Sequence, residues 1–298
     1  MNAIRQNITF EKYQNSRLGK EIFPGCNLVN LSPKQAEELK QNLWENGVIF
    51  IRKQNLTASQ LTEFARQTFR DSSLGHRRPK PVDPEILAYL QSSGSAILGN
   101  PKGLSQDIVD KIAWQWHHDK DLLPITDGLG MNTPYVVMLY GVTIPPEGID
   151  GQPHTTDFLD MIQAYNNFES EYQQQLEQLS MYHLSPISPQ PGVDIPRKLH
   201  PVVSTHQVTG RKGLYLGSDT SILQGLEDQP DFAKRYWVEL FEKALNSTPI
   251  YRHVWQAGDI VFWDNSQVMH TGKAYDSTKY QRIALRIGVV NNHDDHNS

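Results

Sequence analysis

The chain has 298 residues, 38 % of them hydrophobic, with a formal net charge of −5 and a pI near 6.1. That is enough apolar material for one large domain or two ordinary ones, and the acidic balance excludes a general affinity for nucleic acid. No run approaches the ~20 apolar residues of a membrane span, so no membrane partner is expected.

The opening stretch, MNAIRQNITFEKYQNS, has no apolar segment resembling a signal peptide. Cys26 is the single cysteine and cannot form an internal disulfide, so a reducing cytoplasm is the expected location. The first clear pattern is SPKQAEELKQNLWENG. Ser32 is a helix N-cap, Ala36, Leu39, Leu43 and Trp44 recur at helical spacing, and Gly47 ends the run. VIFIR follows as a buried strand, and TASQLTEFARQTF reads as a second helix capped by Thr57. Residues 71–106 are rich in Pro, Gly and Ser and read as a long excursion with a strand near AILGN; within it HRRPK, at 76–80, reads as a solvated loop.

Beyond residue 119 the pattern turns to strands. PYVVMLYGVTI is a strong one. DFLDMIQAYNNFESEYQQQLEQL is amphipathic and predicts a helix from residue 157 onward. HPVVSTH and KGLYLG bracket QVTGR, which predicts a hairpin around Gly210. PDFAKRYWVELFEKAL predicts a helix presenting Phe232, Tyr236, Leu240 and Phe241 on one face. DIVFWDN and RIALRIGVV are late strands, and NNHDDHNS reads as a polar tail over about 291–298. Late strands with a few packing helices point to an antiparallel β-core, a barrel or jelly roll.

The segment AWQWHHDKDLLP, residues 113–124, carries candidate chemistry. On an extended chain positions i and i+2 share a face, so His117 and Asp119 can reach one metal ion together while His118 points away. Two histidines and one carboxylate make the facial set of a non-haem iron(II) site, which leaves three positions open. WQAGDIVFWDNSQVMHTG offers His270 as the third donor. Arg282 and Arg286 follow in YQRIALRIGVV, four apart and therefore on one face of a strand. Inward, such a pair calls for anions, because arginine binds a carboxylate through two parallel hydrogen bonds. The alternative is a surface strand whose arginines face water while Ile283, Leu285 and Ile287 face the core.

These residues resemble the TauD/TfdA group of iron(II)- and 2-oxoglutarate-dependent dioxygenases. WHHD is similar to its Trp-His-x-Asp motif, and WQAGDIVFWDNSQVMH to its Trp-x-x-Gly-Asp-x-x-x-Trp-Asp-Asn-x-x-x-x-His motif. HPVVSTHQVTGRKGLYL and GVIFIRKQNLTASQLTEFA resemble two further segments, so the likeness runs from about residue 18 to 290. The resemblance implies one dioxygenase domain over 1–298, mainly β with packed outer helices and folded as a double-stranded β-helix, or jelly roll. It makes His117, Asp119 and His270 the iron ligands. It implies iron(II) as cofactor, with 2-oxoglutarate and dioxygen as co-substrates. Arg282 sits at the spacing of the arginine that holds the distal carboxylate of 2-oxoglutarate.

In the family's Gly-Gly-Asp-Thr-x-Phe segment this chain has GQPHTTDF. Thr156 keeps the spacing to Phe158, with Thr155 as fallback, and Pro153 and His154 depart from the pattern. Asp119 argues for oxygenation, since related halogenases lack that carboxylate. Arg286 is assigned to an anionic group, of the substrate or of 2-oxoglutarate. Trp116 reads as a packing residue. The asparagine, histidine and tyrosine of sulfonate-using members are missing, and about 68–112 is the expected specificity region. The expected substrate is therefore a small anion, an amino acid or organic acid of specialised metabolism, with sulfonate or aryloxy-acid scavenging as the alternative. A non-catalytic anion-binding barrel would not need all three ligands. A homo-oligomer and a substrate tethered to a carrier protein stay open.

Overall fold

The structure is a computed structural model that describes residues 16–69, 72–75, 96–100, 115–119, 135–184 and 197–291. The loop 76–80, most of the expected specificity region and the polar tail after 291 lie outside the described residues.

The first elements form where capping chemistry and apolar spacing agree. Strand β1 (Lys20–Glu21) precedes helix α1 (Pro33–Asn46), whose N-cap Ser32 forms a reciprocal capping box with Gln35. Gly47 closes α1 at φ 66°, a conformation that costs a residue with a Cβ. Strand β2 (Val48–Ile51) follows, then α2 (Ala58–Thr68), boxed in the same way by Thr57 and Gln60. Leu39, Leu43 and Leu61 from these helices are completely buried, each contributing about 1.5–3 kcal/mol of transfer free energy.

The remaining strands of the large sheet are β3 (Ser72–Gly75), β4 (Ala96–Gly99), β5 (Val136–Thr143), β13 (Ile260–Asp264) and β15 (Ile283–Asn291). The order is β1-β2-β13-β5-β15-β3, with β4 also paired to β15, and only β1–β2 is parallel among these pairs. A second sheet has the order β12 (Ile250–Val254), β6 (Thr155–Asp160), β14 (Val268–Gly272). Three layers of apolar contact follow from the period-2 alternation. Ile49, Met138, Phe262 and Leu285 face α1 and α2. Val137, Val261, Trp263 and Ala284 meet Phe158 and Val268 of the second sheet in the interior between the sheets. Leu159, Met269 and Ile250 face outward against helices α3 (Met161–Asn166) and α5 (Pro230–Ser247). Smaller sheets, β11 (Ile222–Leu223) with β7 (Ser180–Leu184) and β8 (Arg197–Pro201), and β9 (Val203–Thr205) with β10 (Lys212–Leu214), complete that outer layer. The hairpin expected around Gly210 is the β9–β10 pair, with Gly210 at φ 68°. The fold is mainly β with helices packed outside, and among the described residues no helix is long and apolar enough to cross a membrane.

Two expectations are corrected. Residues 157–160 belong to strand β6 and not to the expected helix, because β6 is hydrogen-bonded on both sides, to β12 and β14. The helix starts only where the Asp160 carboxylate accepts the N–H groups of Ile162 and Gln163 as a cap, and it breaks again before α4 (Ser170–Glu177). In α5 the buried face is Ala233, Trp237, Leu240, Phe241 and Ala244, while Phe232 is 48 % exposed. The apolar stripe is rotated from the expected one because Trp237 fills the core, its indole N–H donating to the Leu216 carbonyl at 2.9 Å.

Candidate metal centre

His270 lies on β14 directly opposite Phe158 of β6, and its ring points into the space between the sheets beside Phe158 and Trp263. His117 pairs with the other edge of β14. The two residues exchange backbone hydrogen bonds, His117 N–H to the His270 carbonyl at 3.1 Å and His270 N–H to the His117 carbonyl at 3.0 Å. Residues paired this way present their side chains on the same face, and their ring centroids are 4.3 Å apart. Two residues on, Asp119 returns to that face. Its backbone is held by Asn265, whose Oδ1 accepts the Asp119 N–H at 2.8 Å and whose Nδ2 donates to the Asp119 carbonyl at 2.9 Å.

Donor atoms of His117, Asp119 and His270 therefore lie within 4.8 Å of one another. Among the described residues this is the one cluster of its kind. His117 Nδ1 is 2.7 Å from the Gln115 carbonyl, a contact that puts the proton on Nδ1 and leaves Nε2 with its lone pair. His270 Nε2 is 3.5 Å from Asp119 Oδ2, an oxygen with no hydrogen-bond donor among the described residues. Burial holds the His270 imidazole neutral, reinforced by His117 and only partly opposed by Asp119. For Asp119 burial raises the pKa, but Arg286, His270 and His117 outweigh it and keep the group a carboxylate. Two imidazoles and one carboxylate, aimed at one point with an oxygen left without a donor, fit iron(II) as a three-donor facial set.

From Ala284 to Val290 both faces of β15 are buried, so Arg286 does not face water, while Arg282, just before the strand, is half-buried. Arg286 shares the interior row with Leu139 and Ala284, is 8 % exposed, and its Nη2 stands 2.9 Å from Asp119 Oδ1 as an ion pair. This pairing was not anticipated in the sequence: the anion beside the second arginine is the carboxylate of the triad itself. Arg282 has the same parity just before β15. Its backbone is fixed by Asn100, whose Oδ1 accepts the Arg282 N–H at 2.6 Å and whose N–H donates to the Arg282 carbonyl at 3.0 Å. Gly99 permits that approach, since a Cβ there would stand 2.1 Å from the Arg282 carbonyl oxygen.

Thr156 occupies the interior row of β6, two positions before Phe158 and opposite Gly272, and its hydroxyl accepts the Trp255 indole N–H at 2.9 Å. Thr155 belongs to the opposite row, with Asp157 and its partner Arg252. Trp116 packs against Phe241, and His118 points away from the triad to lie on Tyr215. Asn265, Asn100 and Trp255 were missed as supporting residues. Asn265 and Trp255 stand inside the quoted WQAGDIVFWDNSQVMH motif, which signals their position but not their partners.

A family model described as Taurine catabolism dioxygenase TauD, TfdA family matches residues 9–287. The alpha-ketoglutarate-dependent 2,4-dichlorophenoxyacetate dioxygenase of Burkholderia sp. (strain RASC) is 28 % identical over 270 residues, covering 85 % of each chain. An alkylsulfatase of Acinetobacter baylyi is 30 % identical over 294 residues, covering 92 % of this chain and 82 % of its own. Among solved structures, AAD-2 in complex with Mn(II) and N-oxalylglycine superposes with a TM-score of 0.73 at 22 % identity, covering 94 % of this chain and 96 % of that one, which bears on the fold.

Proposed function

The chain belongs to the TauD/TfdA dioxygenase family, and from that premise we propose what it oxidises and which residues divide the work. The protein is an iron(II)- and 2-oxoglutarate-dependent dioxygenase acting on a small molecule. We read the two facing sheets as a double-stranded β-helix and the whole of 1–298 as one catalytic domain. Its lone cysteine supports a cytoplasmic site of action.

His117, Asp119 and His270 are assigned as the iron ligands. Iron(II) held there would supply, with 2-oxoglutarate and dioxygen, the oxidising power for a substrate C–H bond, the co-substrate leaving as succinate and carbon dioxide. The protein's part is positional. Gln115 and Asn265 fix the orientation of His117 and Asp119. Arg282 and Thr156 hold the distal carboxylate of 2-oxoglutarate, the hydroxyl being kept in place by Trp255. Phe158 and Trp263 keep water from the back of His270.

The substrate carries a carboxylate or similar anion that reaches Arg286, as an amino acid or small organic acid would. The observation that carries this is the buried guanidinium of Arg286 beside the triad. Its Nη2 is paired with Asp119 Oδ1, while a guanidinium carries five N–H donors. Once Asp119 shares its charge with a metal, Arg286 regains capacity for a second anion. Scavenging of an aryloxy acid is the second reading, favoured by the likeness to the 2,4-dichlorophenoxyacetate enzyme. Delivery of the substrate by a carrier protein and assembly into a homo-oligomer are compatible additions.

The test is succinate formation with iron(II), 2-oxoglutarate and air against amino acids, aryloxy acids, other carboxylic acids and sulfonates. An anionic compound should raise turnover well above the background decarboxylation. Arg286→Gln should then raise the KM for that compound by roughly tenfold or more, the scale of a lost charge-assisted hydrogen bond, while background 2-oxoglutarate decarboxylation survives. A neutral or cationic substrate would overturn the assignment, as would an Arg286→Gln variant altered in 2-oxoglutarate affinity only.

A further inference from the structure

His154 is the departure from the family pattern nearest the site. It stands two positions before Thr156, so the alternation of β6 puts it on the same interior row. That row runs away from the metal centre: Phe158 lies opposite His270, and Thr156 opposite Gly272. His154 is the next step outward. Its backbone carbonyl accepts the Trp255 N–H at 3.1 Å, which ties it to the residue whose indole holds Thr156.

The side chain is 3 % exposed, yet its Nδ1 has no hydrogen-bond partner among the described residues. Burying a polar nitrogen without a partner is costly, and most native proteins avoid it. The ring packs edge-on against Tyr275 with centroids 5.6 Å apart. The Tyr275 hydroxyl donates to Asn100 Oδ1 at 3.0 Å, the same oxygen that accepts the Arg282 N–H. His154, Tyr275, Asn100 and Arg282 thus form one packed group. Burial, followed by the positive charges of Arg282 and Lys273, holds the imidazole neutral, with its pKa down at about 3. A neutral imidazole beside an arginine, with one nitrogen unused, is equipped to share an anion with that arginine.

We propose that His154 is a third recognition residue for 2-oxoglutarate, its imidazole hydrogen-bonding the distal carboxylate beside Arg282 and Thr156. The inference rests on the assignment of Arg282 and Thr156 to that carboxylate. It gives this chain a co-substrate contact from a position where the family pattern has none.

The test is binding rather than turnover. Dissociation constants of 2-oxoglutarate and of 2-oxopentanoate, the same carbon chain without the second carboxylate, are measured by anaerobic calorimetry on iron(II)-loaded protein. The ratio of the 2-oxopentanoate constant to the 2-oxoglutarate constant reports recognition of the distal carboxylate and cancels any general loss of affinity. His154→Leu, which fills similar space without a polar nitrogen, should lower that ratio about tenfold or more, as expected for a lost hydrogen bond to a charged group. His154→Gln, which keeps a donor, should retain most of it. An unchanged ratio in His154→Leu overturns the proposal, as does an equal fall in both variants. Arg282→Ala is the companion arm. If it lowers the ratio while His154→Leu does not, only the histidine assignment fails; if it leaves the ratio unchanged, the reading of the carboxylate site itself fails.

Discussion

Replacing Asp119 by alanine should abolish coupled turnover, and His117→Ala and His270→Ala should do the same. Each substitution leaves two protein donors where the arrangement offers three within 4.8 Å. Loss of a supporting partner around a metal ligand typically costs roughly 10–100-fold, so loss of a ligand itself should exceed that. The three variants should differ in stability. Asp119→Ala also strips the counter-charge from Arg286, which is 8 % exposed. An unpaired buried charge costs about 3–5 kcal/mol, so this variant should melt clearly below the other two when all are metal-free. Succinate formation with a substrate identified by the screen, together with thermal melts of the metal-free proteins, reads both effects. Full activity in any one variant removes that residue from the site.

Arg282→Ala should raise the apparent KM for 2-oxoglutarate strongly. A charge-assisted pair in a partly dry site contributes ~2–4 kcal/mol, which corresponds to a change of roughly 30- to 1,000-fold. The backbone of Arg282 is fixed on both sides by Asn100, so truncating the side chain should leave strand β15 in place. The effect should therefore appear in co-substrate affinity and not in folding. Steady-state kinetics at varied 2-oxoglutarate, with a melting curve alongside, checks this. An unchanged KM would transfer the carboxylate to Arg286 and reverse the roles assigned to the two arginines.

Much of this site was legible in the sequence, for physical reasons that differ by residue. His117 and Asp119 could be paired because a two-residue spacing on an extended segment fixes a shared face, and the pairing with β14 realises it. The common parity of Arg282 and Arg286 follows from the same rule. Which face they share could not be read, because Leu285 and Ala284 are both buried and β15 is apolar on both sides. The helices capped by Ser32 and Thr57 were legible because local hydrogen bonds decide them. Strand β6 was misread because FLDMIQAY carries a helical apolar period, and only pairing with β12 and β14, about ninety or more residues away, overrides it. The Arg286–Asp119 pair and the hold of Asn265 on Asp119 were not legible at all. They depend on how segments distant in sequence meet, which no local period encodes.

Whether His117, Asp119 and His270 hold iron(II) with room for a chelating co-substrate is read most directly by anaerobic spectroscopy. Purified protein is given iron(II) and then 2-oxoglutarate without oxygen, and the visible absorption is recorded against the same additions to His117→Ala, Asp119→Ala and His270→Ala. The wild-type protein should develop the visible charge-transfer band of an iron(II)–2-oxoglutarate chelate at one equivalent of metal, and none of the three variants should reach it. Absence of the band in the wild-type protein, or its full development in the variants, would contradict the assignment of His117, Asp119 and His270.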